Sequence, residues 1–437
     1  MHVDDEQRRV SRIHSRTFHR RSLTTPGGCL QRQPRCGRYV QGMLRPGQII
    51  ILCVVALLSL GVVLVTSAGL TVDPDQNVNF LDMISSRAVL YALLAVVVMT
   101  TTSLVPGDRV LNKPRFAGWI ILVIMILCTT LLLLVYLPGV GKAVNGSHRW
   151  VQFGSFSFQP SEIAKWGMLV ALAAYLGRTG NKIRRFFSGL LPAMMIVALL
   201  CGLIILEDLG TAVLMGAAGF LVIAAAGARL RYLALLSLVG AAVCFFAVTT
   251  SAYRMKRLTA FMDPYADPDG AGYHMIQSEA AISAGKITGR GLGYGLHKFG
   301  YLPEDTTDFL FAIACEELGV AGATLITALY GGLLLAGWSI VVNEKRRTLR
   351  LLGLGIIMTI GLQAVMNMMV VTGLAPTKGI ALPLMSWGGS GWIMGSAALG
   401  MLIRMDRVQA AQQKEYEADS APREHQTVNQ SHAVPLP

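Results

Sequence analysis

Charge is what this sequence has least of. Asp, Glu, Lys and Arg make up 14% of its 437 residues, against 53% hydrophobic ones, whereas soluble domains carry about 25% charged residues. A soluble chain of this length would form two or three domains. This composition instead points to a polytopic membrane protein, because long uncharged apolar runs recur from residue 48 almost to the end. Seven Cys show no metal or disulfide framework. Cys53, Cys128, Cys201, Cys244 and Cys315 lie in apolar runs and read as small buried hydrophobes, while Cys29 and Cys36 are too isolated to suggest zinc. The net charge of +13 does not mark a nucleic-acid partner. The bases sit in the N-terminal tail and in alternate short loops, without aromatic interleaving.

What is present is a series of ten apolar runs, near 48–70, 88–105, 118–137, 162–177, 189–206, 210–228, 232–250, 308–341, 351–373 and 383–403. Each is long enough to cross a bilayer at about 1.5 Å per helical residue. The expected fold is therefore all-α, with ten transmembrane helices. The positive-inside rule orients them. If the Arg-rich tail before the first span is cytoplasmic, the inside loops hold Arg109, Lys113 and Arg115, then Arg178, Lys182, Arg184 and Arg185, then Arg229 and Arg231, then Lys345, Arg346, Arg347 and Arg350. The intervening loops are poorer in bases, so both termini are expected in the cytoplasm. Residues 1–47 lack a signal-peptide pattern and read as a disordered basic tail, with Met43 an alternative start. Residues 48–404 form the membrane domain, and 405–437 a polar, disordered tail.

On this topology the unusual chemistry gathers outside, in loops 138–161, 374–383 and above all 251–307, the large loop between helices 7 and 8. Arg149 and Lys378 are cations kept in short outer loops against topological preference, which suggests an anionic ligand; Arg254 and Arg257 are further candidates. Ionisable groups in or beside spans are costly and default to a functional reading. Glu162 and Lys165 could equally be an intrahelical ion pair. Asp208 could equally cap the next helix. For Glu316 and Glu317, a structural and a cavity-lining role stand side by side. The glycines 289, 291, 293 and 295 suit a flexible loop turning over a ligand; no strand precedes them to make a dinucleotide site.

Asp308 is the sharpest candidate. Pro303 suits the first turn of a helix, where Glu304 and Asp305 would favour the dipole. A helix starting there puts Asp308 on the same face, one turn on. Like charges and partial desolvation then raise its pKa, which tunes it as a general base near neutral pH.

Several motifs together carry a resemblance. HRWVQFGSFSFQPSEIAK, DLGTA, YRMKRLTAFMDPYADPDGAGYHMIQS, GRGLG, YLPEDTTDFLFAIACEELG and APTKGIALPLMSWGGSG resemble, in order and over about residues 45–405, the SEDS family of shape, elongation, division and sporulation proteins. DPYADPDGAGY with GLGYGLHKFGYLPE is more similar to the division and sporulation branches, FtsW and SpoVE, than to RodA. The resemblance implies ten spans and a peptidoglycan glycosyltransferase that polymerises lipid II at the outer face of the cytoplasmic membrane. It implies a class B penicillin-binding transpeptidase and other divisome membrane proteins as partners, and a septal location. The family's essential Asp falls on Asp308 of Thr307-Asp308-Phe309. The motifs add Gln277, Ser278, Ser386 and Glu304 as substrate-binding candidates beside Arg149, Lys378, Arg254 and Arg257. They add Gln159, Glu162, Lys165, Asp208, Glu316 and Glu317 as supporting residues. Thr306 stands where the family usually has His, Leu206-Glu207 where it has Gln-Pro, and MSWGGSG replaces ISYGGSS.

The expected reaction needs no cofactor. It admits a divalent cation, Mg or Mn, with Asp308 or a neighbouring acid as an oxygen ligand. The rival readings are a lipid II flippase, an elongation polymerase of the RodA kind, and a noncatalytic scaffold.

Overall fold

The computed structural model describes residues 44–69, 86–108, 117–138, 140–144, 147–153 and 156–420. The tail to Met43, the loop bases Arg109, Lys113 and Arg115, and residues 421–437 lie outside the described residues, as does the side chain of Lys142.

Helices occupy all ten segments expected to span. They are α1 (Pro46–Ala68), α2 (Arg87–Leu104), α3 (Ala117–Leu134), α4 (Pro160–Thr179), α5 (Leu191–Ile204), α6 (Leu209–Ala225), α7 (Leu230–Thr249), α10 (Leu310–Asn343), α11 (Arg347–Val371) and α12 (Gly389–Ser420). Between α7 and α10 lie two further helices, α8 (Ala252–Met262) and α9 (Tyr273–Gly285). Among the described residues six helices are long and apolar enough to cross a membrane: α1, α2, the run Phe186–Ile204 that ends in α5, α7, α10 and α11. Gly118–Leu134 and Leu209–Ala225 are apolar but shorter. The chain is a mostly helical, multi-pass membrane protein. Its spans are greasy on every side because lipid, not water, surrounds them. In α7 no residue is buried at all.

Two expectations need correction. The fold is not purely α: residues of the 138–161 loop form a small antiparallel sheet, β1 (Gly141–Val144), β2 (Ser147–Phe153) and β3 (Phe156–Phe158), in the order β1-β2-β3. This connection is too short and irregular for a helix to satisfy its backbone, and pairing such as Val151 with Phe158 supplies the hydrogen bonds instead. The C-terminal segment from 405 is also not wholly disordered. α12 continues to Ser420, and Gln409 Nε2 donates to the Ile340 carbonyl (3.1 Å) and to Glu344 (3.3 Å).

The loops sort into two ends. At one, Arg347 donates to the carbonyls of Gly180 (3.4 Å) and Ala226 (2.8 Å), and Asp108 accepts from Arg346 (2.7 Å) and Arg404 (3.2 Å). At the other, Arg149 Nε donates to the Glu207 carbonyl (2.9 Å), Arg254 to the carbonyls of Ile205 (2.8 Å) and Leu206 (3.0 Å), and Arg257 to that of Thr377 (3.4 Å).

The long helix α10 breaks at Gly319, whose φ of 65° and ψ of −161° leave the helical region. Only glycine reaches that conformation without strain. The break frees backbone groups in an apolar setting, where each must find a partner. The glycine-rich loop provides them: Arg290 N donates to the Glu316 carbonyl and Gly291 N to that of Glu317, each at 2.9 Å, while Val320 N donates to the Lys286 carbonyl at 3.1 Å. The glycine run is therefore pinned to α10 at its start.

Candidate functional site

Residues 301–309 fold as consecutive turns, and α10 starts only at Leu310. The expected helix start at Pro303 is thus wrong. Glu304 takes a left-handed φ of 58°, which no helix tolerates. Its carbonyl accepts from Thr307 N (3.1 Å) and Phe309 N (3.2 Å), and its carboxylate from Thr307 Oγ1 (2.7 Å). The turn still brings Glu304 near Asp308, by folding back rather than by helical spacing. Asn367 of α11 locks the turn from below: its Nδ2 donates to the carbonyls of Asp308 (2.7 Å) and Ile380 (2.8 Å). Trp387 N donates to the Thr306 carbonyl at 2.8 Å. Two segments distant in sequence therefore hold this turn, one at the Asp308 carbonyl and one at that of Thr306.

As a residue Asp308 is half-buried, and its carboxyl is largely withdrawn from water. Loss of hydration, then the charges of Glu304 and Asp208, push its pKa up to about 7 against the pull of Arg257 and Arg149. Neighbouring Asp305 is raised to about 6, chiefly by burial. A methyl group built on Gly379 would lie 3.1 Å from Asp308 Oδ2 and 3.5 Å from Arg149 Nη1, so carboxylate and guanidinium flank one bare stretch of backbone. Arg149, on β2, also lines a crevice of about 30 Å³ with Leu132, Val135, Tyr136, Leu203 and Asp208. Arg257, on α8, lies over the Tyr253 ring at 4.5 Å. A base near neutrality with two cations beside it can accept a proton while a neighbouring anion is held.

The other predicted residues divide. Lys378 is half-buried, and its ammonium has no hydrogen-bond partner among the described residues. Gln277 is half-buried on α9. Arg254 closes off carbonyls at the ends of α5 and α7, including that of Ala247 (3.0 Å). Ser278 Oγ donates to the Val371 carbonyl (2.7 Å), and Ser386 Oγ accepts from Leu382 N (3.0 Å); both are buried. Asp208 caps α6, accepting from Thr211 N (3.0 Å) and Thr211 Oγ1 (2.7 Å), while its charge still reaches Asp308.

Glu162 and Lys165 form an ion pair at 2.9 Å within α4, and Lys165 passes the contact to Gln363 at 2.9 Å. Gln159 precedes α4 without a side-chain cap, its backbone N reaching Ser390 Oγ at 3.5 Å. Glu316 accepts from Leu296 N (2.8 Å) and lies 3.0 Å from His297 Nδ1. Glu317 meets Lys298 at 3.1 Å and Ser67 at 2.7 Å. These acids hold the glycine loop to the broken helix.

Sequence reading overlooked Asn367, Gly379 and His274. His274 stacks on Phe309, with ring centroids 5.7 Å apart and planes 11° apart. Its only signal was a lone imidazole in a loop otherwise read for its acids and bases. Among the described residues no three His, Cys, Asp or Glu side chains converge on a common point.

Comparison with known proteins places this geometry in context. The family model described as Cell cycle protein, built on FtsW, RodA and SpoVE, matches residues 48–411. A probable peptidoglycan glycosyltransferase FtsW of Thioalkalivibrio sulfidiphilus is 41% identical over 361 residues, covering 82% of this chain and 88% of that one. The stage V sporulation protein E of Bacillus subtilis is 37% identical over 363 residues, 83% of this chain and 97% of its own. Among solved structures, one reporting structural coordination of polymerization and crosslinking by a peptidoglycan synthase complex superposes with a TM-score of 0.64 at 27% identity, over 82% of this chain and 97% of that chain. The rod shape determining protein RodA of Thermus thermophilus superposes with a TM-score of 0.59 at 25% identity, over 86% and 99%.

Proposed function

This chain belongs to the FtsW, RodA and SpoVE family of cell cycle proteins, and from that premise we propose that it is a peptidoglycan glycosyltransferase of cell division, with Asp308 as its general base. Ten helices cross the cytoplasmic membrane, with both termini inside and the 251–307 segment outside. The meeting of Arg347 with the 180 and 226 turns supports this, since all three loops carry the bases expected within. The substrate is lipid II, at the division septum.

In the reaction, the ionised Asp308 carboxylate takes the proton of the 4-hydroxyl on the incoming N-acetylglucosamine. That oxygen forms a bond to the anomeric carbon of the growing strand's muramic acid, and the bond from that carbon to undecaprenyl pyrophosphate breaks, with inversion. The pyrophosphate leaves as an anion, its charge met by Arg149, Arg257 and Lys378. Nothing else need protonate it. Asp308 or a neighbouring acid would be the residue to hold a divalent cation, which would supply further charge neutralisation for the phosphates. A class B penicillin-binding transpeptidase crosslinks the product.

The observation that carries this reading is the Asp308 carboxyl raised to about 7 beside two guanidinium groups. The test is polymerisation of fluorescent lipid II by the purified chain with its transpeptidase. Glycan strands support the enzyme; translocation without strands would mean a flippase, and neither a scaffold.

A further inference from the structure

His274 is a half-buried titratable group this reaction has not used. It sits in the first turn of α9, on the outer loop between α7 and α10. Its ring lies parallel to that of Phe309, the residue next to Asp308, and edge-on to Tyr273 at 6.4 Å. Nδ1 is buried and finds no hydrogen-bond partner among the described residues. Nε2 is not buried in this way and no described group bonds to it, so this nitrogen keeps access to solvent.

Those facts select a protonation state. A buried N–H without an acceptor is the rarer and costlier orphan, whereas an unused lone pair is better tolerated. The proton therefore sits on Nε2 and Nδ1 keeps its lone pair. Adding a second proton would bury a charged N–H that the Arg257 charge disfavours. Burial and Arg257 do hold the imidazole below its ordinary pKa, with Glu304 opposing them. Arg257 and Glu304 also act on Asp308, which puts the two groups in one electrostatic environment.

We infer that His274 is a substrate-binding residue whose neutral Nε2–H donates a hydrogen bond to an oxygen of the acceptor sugar, orienting its hydroxyl toward Asp308. The chemical class is a sugar hydroxyl or N-acetyl carbonyl, since a neutral donor on a flat, stacked ring suits an uncharged oxygen rather than a phosphate. Phe309 serves as the backstop that sets the ring plane. This inference rests on the Asp308 reading.

Two substitutions separate donation from packing. His274→Phe keeps the flat ring on Phe309 and removes the orphaned nitrogen, so a purely structural histidine would be matched or bettered by it. His274→Gln loses the stack but returns an amide N–H near the position of Nε2. Lipid II polymerisation by the full chain with its transpeptidase is expected to fall about tenfold in kcat/KM for His274→Phe, in line with a lost hydrogen bond of about 1.4 kcal/mol. His274→Gln is expected to stay within about threefold, and Tm in detergent reports folding for both variants. Wild-type turnover by a folded His274→Phe, or a Gln variant as impaired as the Phe one, overturns the inference. If either variant does not fold, binding of a soluble N-acetylglucosamine-bearing acceptor fragment to the wild-type chain decides: protection of the His274 ring signals supports the inference and unchanged signals overturn it. An active Asp308→Asn protein would instead defeat the underlying reading, so the two failures are distinguishable.

Discussion

The ammonium of Lys298 lies 3.1 Å from the carboxylate of Glu317, and both side chains are withdrawn completely from solvent. Lys298 also donates to Ser67 Oγ (3.0 Å) and to the Gly293 carbonyl (2.8 Å), so one ion pair fastens the glycine loop to α1 and α10 together. Breaking a buried pair leaves an uncompensated charge, at a cost of about 3–5 kcal/mol. Lys298→Met should therefore lower Tm in detergent sharply and reduce accumulation in the membrane. The double variant Lys298→Met with Glu317→Leu should recover much of that loss.

Asp308→Asn should reduce lipid II polymerisation by about 10²–10⁴-fold, the usual contribution of a general base. The amide is nearly isosteric and retains the Asn367 contact, which uses the backbone carbonyl, so Tm should not fall. Full activity in the folded variant would remove Asp308 from the mechanism.

The raised carboxyl makes a signed prediction about pH. Only the ionised form accepts a proton, so kcat/KM should fall as pH drops through about 7 and level off above it. Stability runs the other way. A folded-state pKa above the unfolded value of about 3.9 favours the fold while the acid is protonated, and that contribution is lost as pH rises from the unfolded value through about 7. Asp308→Asn should flatten both dependences; a pH–rate profile and a pH series of melting curves check them.

Arg149→Lys should raise KM for lipid II about tenfold or more with little change in Tm. Lysine keeps the charge but cannot hold the Glu207 carbonyl and a phosphate in one planar fork.

Gly379→Ala tests the space between the two charges. Its added methyl would sit 3.1 Å from Asp308 Oδ2, closer than a carbon and an oxygen pack comfortably. A loss of about tenfold in kcat, with unchanged folding, is the expected result.

Much of the architecture was legible because a membrane writes itself into composition. Runs such as 48–70 or 232–250 could be nothing but spans, and helices stand there at Pro46–Ala68 and Leu230–Thr249. The sheet around Arg149 was missed although its signals were present: Asn145-Gly146 is a hairpin dipeptide, and SHRWVQF is bounded by glycines. The apolar runs on either side outweighed them. Asp208 as a helix cap and Glu162–Lys165 as a pair were alternatives that spacing left open, and both contacts are present in the structure.

The sequence by itself determined the membrane character, the places of the helices, the family and the acid to suspect, because these depend on local hydropathy and on motifs contiguous in the chain. It did not determine how that acid is held. A helix from Pro303 was the natural local reading, yet Glu304 turns left-handed and Asn367, Trp387 and Gly379 close in from 59 or more residues away. Only the tertiary structure decided that Arg149 and Arg257 flank Asp308 while Arg254 serves helix ends, and that Glu316 and Glu317 anchor a loop. Desolvation and ion pairing depend on what surrounds a group in space, and neighbours in sequence supply little of it.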